Sequence, residues 1–141
     1  MKNIFLYHTA LILFVVSSLP CCTSENTSDC HYSLTIQNNS TTDVYYYIWP
    51  DSTLGKADDP HFSVNINIYK CPSKQSKVDK LRDCWETDYF AKGFKLYAYI
   101  FDSHVVEMTN WDTIKINKEY LKRYDYSLQD IQLRNWTITY P

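Results

Sequence analysis

Two adjacent cysteines near the amino terminus carry the clearest chemistry in this chain. In the segment Ser18-Leu19-Pro20-Cys21-Cys22, Leu19 stands three residues before Cys22. A lipobox has this spacing: the acceptor sulfur takes a diacylglyceryl group, the chain is cut before that cysteine, and the new amine is acylated. We therefore predict acylation of Cys22, by palmitate or a similar chain. Cys21 is the alternative acceptor because Pro20 fits the motif poorly, and a plain secretory signal with both thiols free or paired is the second alternative.

The residues before these cysteines predict export. Lys2 is followed by residues 4–19, which are apolar or small apart from His8 and a few hydroxyls. As a helix this run spans about 24 Å, less than the roughly 30 Å hydrocarbon core of a bilayer. We interpret residues 1–21 as a cleaved lipoprotein signal peptide and residues 22–30 as a flexible tether. Two or more acyl chains anchor stably, since each buried CH₂ contributes about 0.8 kcal/mol.

Three further cysteines, Cys30, Cys71 and Cys84, would meet an oxidising compartment after export. Cys71 and Cys84 enclose a polar stretch, and a disulfide between them would stabilise the domain by about 3 kcal/mol on the chain-entropy estimate. We predict this pair, with Cys30 as the odd thiol. The alternatives are that one of the pair is buried and reduced, or that Cys30 is a partner.

Residues for metal binding are sparse. His31, His61 and His104 stand alone, and the chain has no Cys-x-x-Cys or His-x-x-x-His, so we expect no metal site. Asp58 and Asp59 offer oxygen ligands of the kind calcium takes, but adjacent acids before a proline are more often a solvated turn.

Catalytic constellations are equally weak. Asp102, Ser103 and His104 are the residue types of a hydrolase triad, yet sequence neighbours on an extended chain point apart, so we interpret them as a turn that ends a strand. Glycoside hydrolysis needs a pair of carboxylates. Nothing in the sequence selects two of the available acids, which are Glu86, Asp88, Glu107 and Asp112. We expect no catalytic residue and no cofactor.

Aromatic residues are abundant, with thirteen tyrosines and four tryptophans. If exposed, six of these rings could stack against sugar faces: Tyr45, Tyr47, Trp85, Tyr97, Tyr99 and Trp111. If buried, the same rings would form the core and the cross-strand ladders of a small β domain. We favour the buried arrangement, and the glycan hypothesis requires an exposed aromatic platform.

The hydropathy pattern predicts one mostly β domain over residues 31–141. Strands are expected over residues 32–38, 44–49, 62–69, 94–101, 119–126 and 135–140, the first two as a hairpin. Thr109 or Asn110 would cap a short helix through Ile116, and Ser127 would cap a second ending near Leu133. The polar run 72–83 is expected to be a loop with one helical turn near residues 78–82. A small antiparallel sandwich with two short helices, or an α+β variant, is the predicted class.

Charge and composition exclude several functions. The formal net charge is −2 and no basic stripe is present, so nucleic acid is not expected as a partner. The chain has two glycines, too few for the glycine-rich loops that cradle phosphates.

The carboxyl-terminal half, with one segment near the start, is similar to a family of small uncharacterised lipoproteins from Bacteroides and related gut Bacteroidota. The closing motif is the most specific part of the resemblance, which rests on Ile36-Gln37-Asn38-Asn39, Ile100-Phe101-Asp102, Trp111, Leu121-Lys122-Arg123-Tyr124-Asp125, Ser127-Leu128-Gln129-Asp130 and Asn135-Trp136-Thr137-Ile138-Thr139-Tyr140-Pro141. The resemblance implies a bacterial host and an envelope location, but no activity.

A bacterial host of this kind adds a modification to consider. Asp51-Ser52-Thr53 and Asp112-Thr113-Ile114 resemble the O-glycosylation motif of Bacteroidota, which makes Ser52 and Thr113 candidate acceptors.

These observations predict a non-catalytic, lipid-anchored envelope protein, in the outer membrane, that binds an unknown protein or glycan. The segment after the acceptor cysteine has only two acidic residues, Glu25 and Asp29, so the sequence does not decide between the periplasmic and the surface-facing side of the membrane. The alternatives are a glycan-binding accessory lipoprotein, or a small disulfide-stabilised enzyme inhibitor that would present residues 72–83 as a protruding loop.

Overall fold

The computed structural model describes residues 30–54, 57, 59–61, 69–80 and 82–141. The signal peptide, the expected tether up to residue 29 with Cys22, and residues 62–68 of the strand expected over 62–69 lie outside these residues. The strands are β1 Ser33–Asn38, β2 Val44–Trp49, β3 Lys70–Cys71, β4 Ser76–Lys80, β5 Leu96–Asp102, β6 Lys122–Tyr126 and β7 Thr137–Tyr140. The α-helices are α1 Ser103–Met108, α2 Trp111–Asn117 and α3 Leu128–Leu133, and a π-helical turn covers Trp85–Tyr89 before a 3₁₀ turn at Phe90–Lys92.

The seven strands form two sheets. Sheet 1 has the order β4-β1-β7, in which β1 pairs antiparallel with β4 and parallel with β7. Sheet 2 has the order β3-β2-β5-β6 and is antiparallel throughout. The predicted mostly β class, in its α+β variant, is confirmed.

Sheet 2 is covered on both faces, because successive side chains of a strand point to opposite sides. Tyr46 and Ile100 turn toward sheet 1 and pack with Leu34, Ile36 and Ile138 in the first core. Their neighbours on β2 and β5 form the second core with α1 and α2, through Tyr45, Tyr99, Phe101, Val106, Trp111 and Ile114, while Ile131 of α3 packs in the first core. The layers are therefore sheet 1, sheet 2 and a helical layer.

The predicted hairpin of β1 and β2 is wrong, since the two strands belong to different sheets. Asn38, which is fully buried, explains the change of direction. Its side-chain amide donates to the backbone carbonyl oxygens of Thr42, Cys71 and Pro72, and its Oδ1 accepts from the Ser40 amide. This network leads the chain from one sheet into the other instead of folding it back on β1.

The prediction of a loop over residues 72–83, with one helical turn near residues 78–82, is wrong in its middle part. Residues 76–80 form β4, which pairs with β1 in the register Thr35 to Val78. Lys77 and Asp79 share a face with Ile36 and Leu34, while Val78 is exposed. A strand with charged residues facing inward and an apolar residue facing outward lacks the usual alternation, so its sequence did not identify it.

The predicted helices are confirmed where local caps define them. Asn110 Oδ1 accepts from the amides of Asp112 and Thr113 at the start of α2, and Ser127 forms a capping box with Asp130 at the start of α3. Asp102 ends β5 as expected, but the residues after it form α1 rather than a simple turn. Within the described residues, the helices are all too short or too polar to cross a membrane.

The disulfide joins Cys30 to Cys84, so the predicted Cys71–Cys84 pair is wrong. Cys71 lies in β3, fully buried, with its Sγ 3.5 Å from the Gln75 carbonyl oxygen. Burial raises the pKa of the Cys71 thiol. Cys84 instead lies directly before the π-helical turn, where it is bonded to Cys30 at the start of the domain.

Candidate functional site

A cavity of about 550 Å³ opens in the helical layer, between α2, β6 and residues 52–54. We call it the Tyr99 cavity. Its apolar walls come from Leu54, Tyr99, Ile116 and Tyr120, and the charged or polar groups around them are Ser52, Thr53, Asp112, Lys115, Lys118 and Arg123. A volume of this size falls within the range of about 300–1,000 Å³ that is usual for small-molecule sites.

Sheet 2 supplies one side of the cavity through two facing residues, Tyr99 on β5 and Arg123 on β6. The Arg123 Cζ lies 5.7 Å from the Tyr99 ring centroid and 4.9 Å from that of Tyr97. Its Nε and Nη2 donate to the two carboxylate oxygens of Asp125, at 2.7 and 2.9 Å. The guanidinium is therefore held flat by two rings and one bidentate ion pair.

Helix α2 supplies the opposite side. Trp111 and Ile114 are buried in the second core, which turns Asp112, Lys115 and Ile116 toward the cavity. The Lys115 Nζ lies 2.9 Å from Asp112 Oδ1. Ile116 is 78% exposed, so an apolar side chain stands at the mouth with no protein covering it.

The end of α2 positions Lys118 and Tyr120. Lys118 adopts a left-handed conformation with φ 55°, and the Glu119 amide donates to the Ile114 carbonyl oxygen at 3.1 Å. This is a Schellman termination, in which the residue after the helix turns the chain sharply. It brings the Tyr120 ring edge-on to Tyr99, with centroids 5.4 Å apart. Within the described part of the chain, Lys118 forms no ion pair.

Residues 52–54 are fixed to the rest of the site by hydrogen bonds from aromatic residues. The Tyr99 hydroxyl donates to the Ser52 carbonyl oxygen at 2.5 Å, and the Trp111 indole donates to the Ala57 carbonyl oxygen at 3.1 Å. The Ala57 amide in turn donates to the Leu54 carbonyl oxygen. The cavity is thus formed by a helix, a sheet and an attached segment, and needs no rearrangement to exist.

The electrostatics of the site favour binding an anion. Three cations, Lys115, Lys118 and Arg123, surround the cavity in a chain whose net charge is −2. The hydrogen bond to Asp125 raises the pKa of Arg123, so this side chain stays charged. Burial raises the pKa of Tyr99, whose hydroxyl remains a neutral donor to Ser52.

The six rings proposed for glycan stacking do not form one exposed platform. Four of them are at most 4% exposed and belong to the two cores: Tyr45, Trp85, Tyr99 and Trp111. Trp85 also lies in the first core, on the other side of sheet 2 from the rest. For these four rings the core interpretation is confirmed and the platform is wrong. Tyr45 and Tyr99 point from sheet 2 into the second core, Trp111 packs there from α2, and Trp85 packs in the first core from the π-helical turn.

The other two rings lie together with a residue that the prediction left out. Tyr47 stacks on Trp49 with centroids 6.1 Å apart, and Trp49 pairs across the sheet with Tyr97. Trp49 is 38% exposed, and Tyr47 and Tyr97 are partly buried. We call these three residues the aromatic strip; it meets the Tyr99 cavity at Arg123. The alternation that placed Tyr45 and Tyr47 on one face would also have identified Trp49.

The carboxylates considered for hydrolysis each have a separate partner. Glu86 accepts from the His31 backbone and ring, Asp88 from the Cys84 amide, and Glu107 from the Lys70 ammonium. Asp112, paired with Lys115, is the member of the set that lines the Tyr99 cavity. No two of these acids are therefore brought together around this cavity.

The remaining sequence candidates have structural roles. Asp102 caps α1 by accepting from the amides of His104 and Val105, so it cannot orient that histidine as a triad would. Asp59 accepts from the His61 amide and ring, and Asp58 lies outside the described residues. Among the residues described, one group, Cys30, Cys84 and Glu86, has metal-ligand spacing, but its two sulfurs are joined in the disulfide.

Both candidate O-glycosylation residues, Ser52 and Thr113, are exposed. Ser52 borders the Tyr99 cavity, whereas Thr113 lies on α2 next to the cavity residue Asp112 and does not line the cavity.

The cavity residues that the prediction missed are Thr53, Leu54, Lys115, Ile116, Lys118, Tyr120 and Arg123. The spacing of Asp112, Lys115 and Ile116 marks one face of a short helix, a signal present in the sequence. The pairing of β5 with β6, which brings Arg123 opposite Tyr99, has no local signal. Comparisons of the whole chain with protein-family models, with curated proteins and with solved structures find no match.

Proposed function

We propose that this protein is a non-catalytic, lipid-anchored binding module of the cell envelope, and that the Tyr99 cavity is its binding site. The observation that carries the proposal is the cavity itself, which has apolar walls, a charged mouth and an exposed Ile116. A preformed cavity of this volume, with mostly apolar walls and a few polar groups at its mouth, is typical of a ligand site.

The anchor in this proposal is the acylated Cys22, with Cys21 as the alternative, in the outer membrane of a bacterium. The support is the spacing of the lipobox and the apolar segment before it. Metabolic labelling with a palmitate analogue tests this part. Cys22→Ser should abolish labelling and Cys21→Ser should retain it, and the reverse result would move the acceptor to Cys21. Labelling that persists in the double variant Cys21→Ser and Cys22→Ser would contradict lipidation at this motif.

Binding is favoured over catalysis by the way the polar groups of the cavity are used. The Tyr99 hydroxyl donates to a backbone carbonyl, and Asp112 and Arg123 are each held in an ion pair. None of these groups is arranged as a nucleophile beside a base. They are arranged to hold a ligand rather than to transfer a proton to it.

A glycan-binding accessory role is the second candidate, favoured by the aromatic strip of Tyr47, Trp49 and Tyr97. The inhibitor alternative loses its support, because the loop it required is partly β4 and is not closed by a Cys71–Cys84 bond. Trp49→Ala separates the remaining two candidates: it should weaken binding to immobilised bacterial-wall or host glycans if the strip is the site, and leave ligand binding in the Tyr99 cavity unchanged.

The cavity can be tested with a neutral fluorescent probe, N-phenyl-1-naphthylamine. The chain from Thr23 to Pro141 serves for this, since both cores and the disulfide lie within residues 30–141 and no acyl chain is then present to bind the probe. We expect saturable binding of one probe per chain. Thr53→Trp should block the cavity and weaken binding at least tenfold, because Thr53 lines the cavity and is itself exposed.

Thr113→Trp is the matched control, with the same substitution at an exposed position of α2 that does not line the cavity. It should bind the probe as the parent chain does. Absence of saturable binding, or equal binding by Thr53→Trp, would contradict the proposal.

A further inference from the structure

We propose that the Tyr99 cavity selects an amphipathic monoanion, a single carboxylate or similar group carried on a flat or branched apolar body. The inference rests on the proposed binding function and specifies its ligand class. It follows from three features of the cavity: the balance of its charges, the unused donors of Arg123, and the apolar surface of its walls.

The charge balance sets the number of ligand charges. Two of the three cations around the cavity are each matched by one carboxylate, Lys115 by Asp112 and Arg123 by Asp125. Lys118 is unmatched among the described residues. The local excess is thus one positive charge, which one anionic group would neutralise. A dianion would leave a net negative charge beside two carboxylates.

Arg123 provides the directional contact. A guanidinium has five N–H donors, and the bond to Asp125 uses one on Nε and one on Nη2. Three donors remain, and the Tyr97 and Tyr99 rings hold the group in a fixed plane. A carboxylate or sulfonate that reaches this group therefore gains a preoriented, charge-assisted hydrogen bond.

The walls select the body of the ligand. Leu54, Tyr99, Ile116 and Tyr120 present apolar surface, and the Tyr99 hydroxyl is already engaged by the Ser52 carbonyl. Sugar hydroxyls that face these four side chains would be buried without partners, at a cost of about 1–3 kcal/mol for each unsatisfied group. An aryl or branched aliphatic body buries no such groups, so the apolar class is favoured over the saccharide class in this cavity.

The test compares two probes of nearly the same shape, 8-anilinonaphthalene-1-sulfonate, which carries one negative charge, and N-phenyl-1-naphthylamine, which carries none. Fluorescence titration of the chain from Thr23 to Pro141 should give at least tenfold tighter binding of the anionic probe. Raising the salt concentration should reduce this difference in affinity, since salt screens part of the attraction between the anionic probe and the cations of the cavity.

The variant Lys118→Gly removes the unmatched charge at a left-handed position that glycine adopts without strain, so the fold should persist. We expect a threefold to tenfold loss of anionic-probe affinity and no change for the neutral probe. Lys74→Gly is the matched control: Lys74 is also exposed and left-handed, with φ 57°, and it does not line the cavity. It makes the same change in net charge and should leave both affinities unaltered.

The outcomes separate the two proposals. Equal affinity for the two probes, or equal losses in Lys118→Gly and Lys74→Gly, would overturn the anion inference while leaving the cavity as a binding site. Failure of both probes to bind would instead contradict the proposed function. Displacement of the anionic probe by a branched or aryl carboxylate, and not by glucuronate, would support the apolar body; the reverse order would overturn it.

Discussion

Cys30 and Cys84 are joined by a disulfide with their Cα atoms 5.3 Å apart, although 54 positions separate them in sequence. The bond fixes the first described residue of the domain to the π-helical turn that carries the buried Trp85. Directly beside it, the His31 ring stacks on Trp136 with centroids 4.4 Å apart, and its Nδ1 contacts Glu86 at 2.5 Å. The covalent bond therefore attaches the start of the domain to the first core independently of β1.

Removal of this disulfide should be strongly destabilising. For the double variant Cys30→Ser and Cys84→Ser we expect the free energy of unfolding to fall by about 4 kcal/mol, since a bond closing a loop of this length restricts the unfolded chain that much. Urea denaturation measures the change, and peptide mapping without reductant should recover a Cys30–Cys84 peptide.

Cys71→Ala is the control for this prediction. It should leave the disulfide intact and lower stability only through the lost packing of a small buried side chain. Recovery of a Cys71–Cys84 peptide from the parent chain would contradict the bond assigned here.

The sequence predicted the elements whose signals are local and missed the relationships that are not. Asn110 and Ser127 cap their helices through residues two or three positions away, so their side chains identify α2 and α3 without any tertiary information. The choice of Cys30 over Cys71 as the partner of Cys84 depends on the tertiary structure, which buries the Cys71 thiol. The entropy of loop closure favours neither partner strongly.

The same contrast holds for the candidate site. A helical face with Asp112, Lys115 and Ile116 is visible in the sequence, but the wall formed by Tyr99 and Arg123 requires the register of β5 with β6. The abundance of aromatic residues is consistent with cores filled by rings. It could not show which rings are covered, because that depends on the helices packing over sheet 2.

Replacement of Asn38 should destabilise the junction between the sheets. Asn38→Ala removes the side-chain donor to the carbonyl oxygens of Thr42, Cys71 and Pro72. The Thr42 and Pro72 oxygens still accept from the Ser40 hydroxyl and the Gln75 amide, so the main loss is the buried hydrogen bond to the Cys71 oxygen. We expect a loss of about 2 kcal/mol in the free energy of unfolding, since an unsatisfied buried polar group costs about 1–3 kcal/mol. Asn39→Ala, at the exposed neighbouring position, should change it by less than about 0.5 kcal/mol.

Asp79 should contribute to the stability of the domain at acidic pH and lose this contribution as the pH rises. It lies opposite Leu34 on the inward face of β4, and burial raises the pKa of its carboxyl, with Lys77 opposing the effect. A carboxyl whose pKa is higher in the folded state favours folding when it is protonated. Its contribution is fully present below the ordinary carboxyl pKa of about 3.9 and is lost as the pH rises through the folded value.

Asp79→Asn should therefore raise the thermal unfolding temperature at pH 7 and have little effect near pH 3. The amide oxygen can still accept from the Lys80 backbone, so the change isolates the charge. Asp43 should show the opposite pH dependence. The hydrogen bond from the Ser73 amide lowers the pKa of the Asp43 carboxyl, so Asp43→Asn should destabilise the domain at pH 7 and do so progressively less as the pH falls. The same pH trend in both variants would refute this assignment.

Lys118 should lower the stability of the fold while contributing to the binding of an anion. At φ 55° a lysine side chain crowds its own backbone, and a Schellman termination is most stable with glycine at this position. We expect Lys118→Gly to raise the free energy of unfolding by about 1 kcal/mol in urea, because relief of the left-handed strain exceeds the added entropy of the unfolded chain.

Lys118→Ala removes the same charge and keeps the strain, so its stability should match that of the parent chain while its anionic-probe affinity falls as in Lys118→Gly. Parallel losses of probe affinity with divergent stabilities would show that the charge, and not the conformation of the turn, serves the ligand; a loss confined to the glycine variant would assign the effect to the backbone instead.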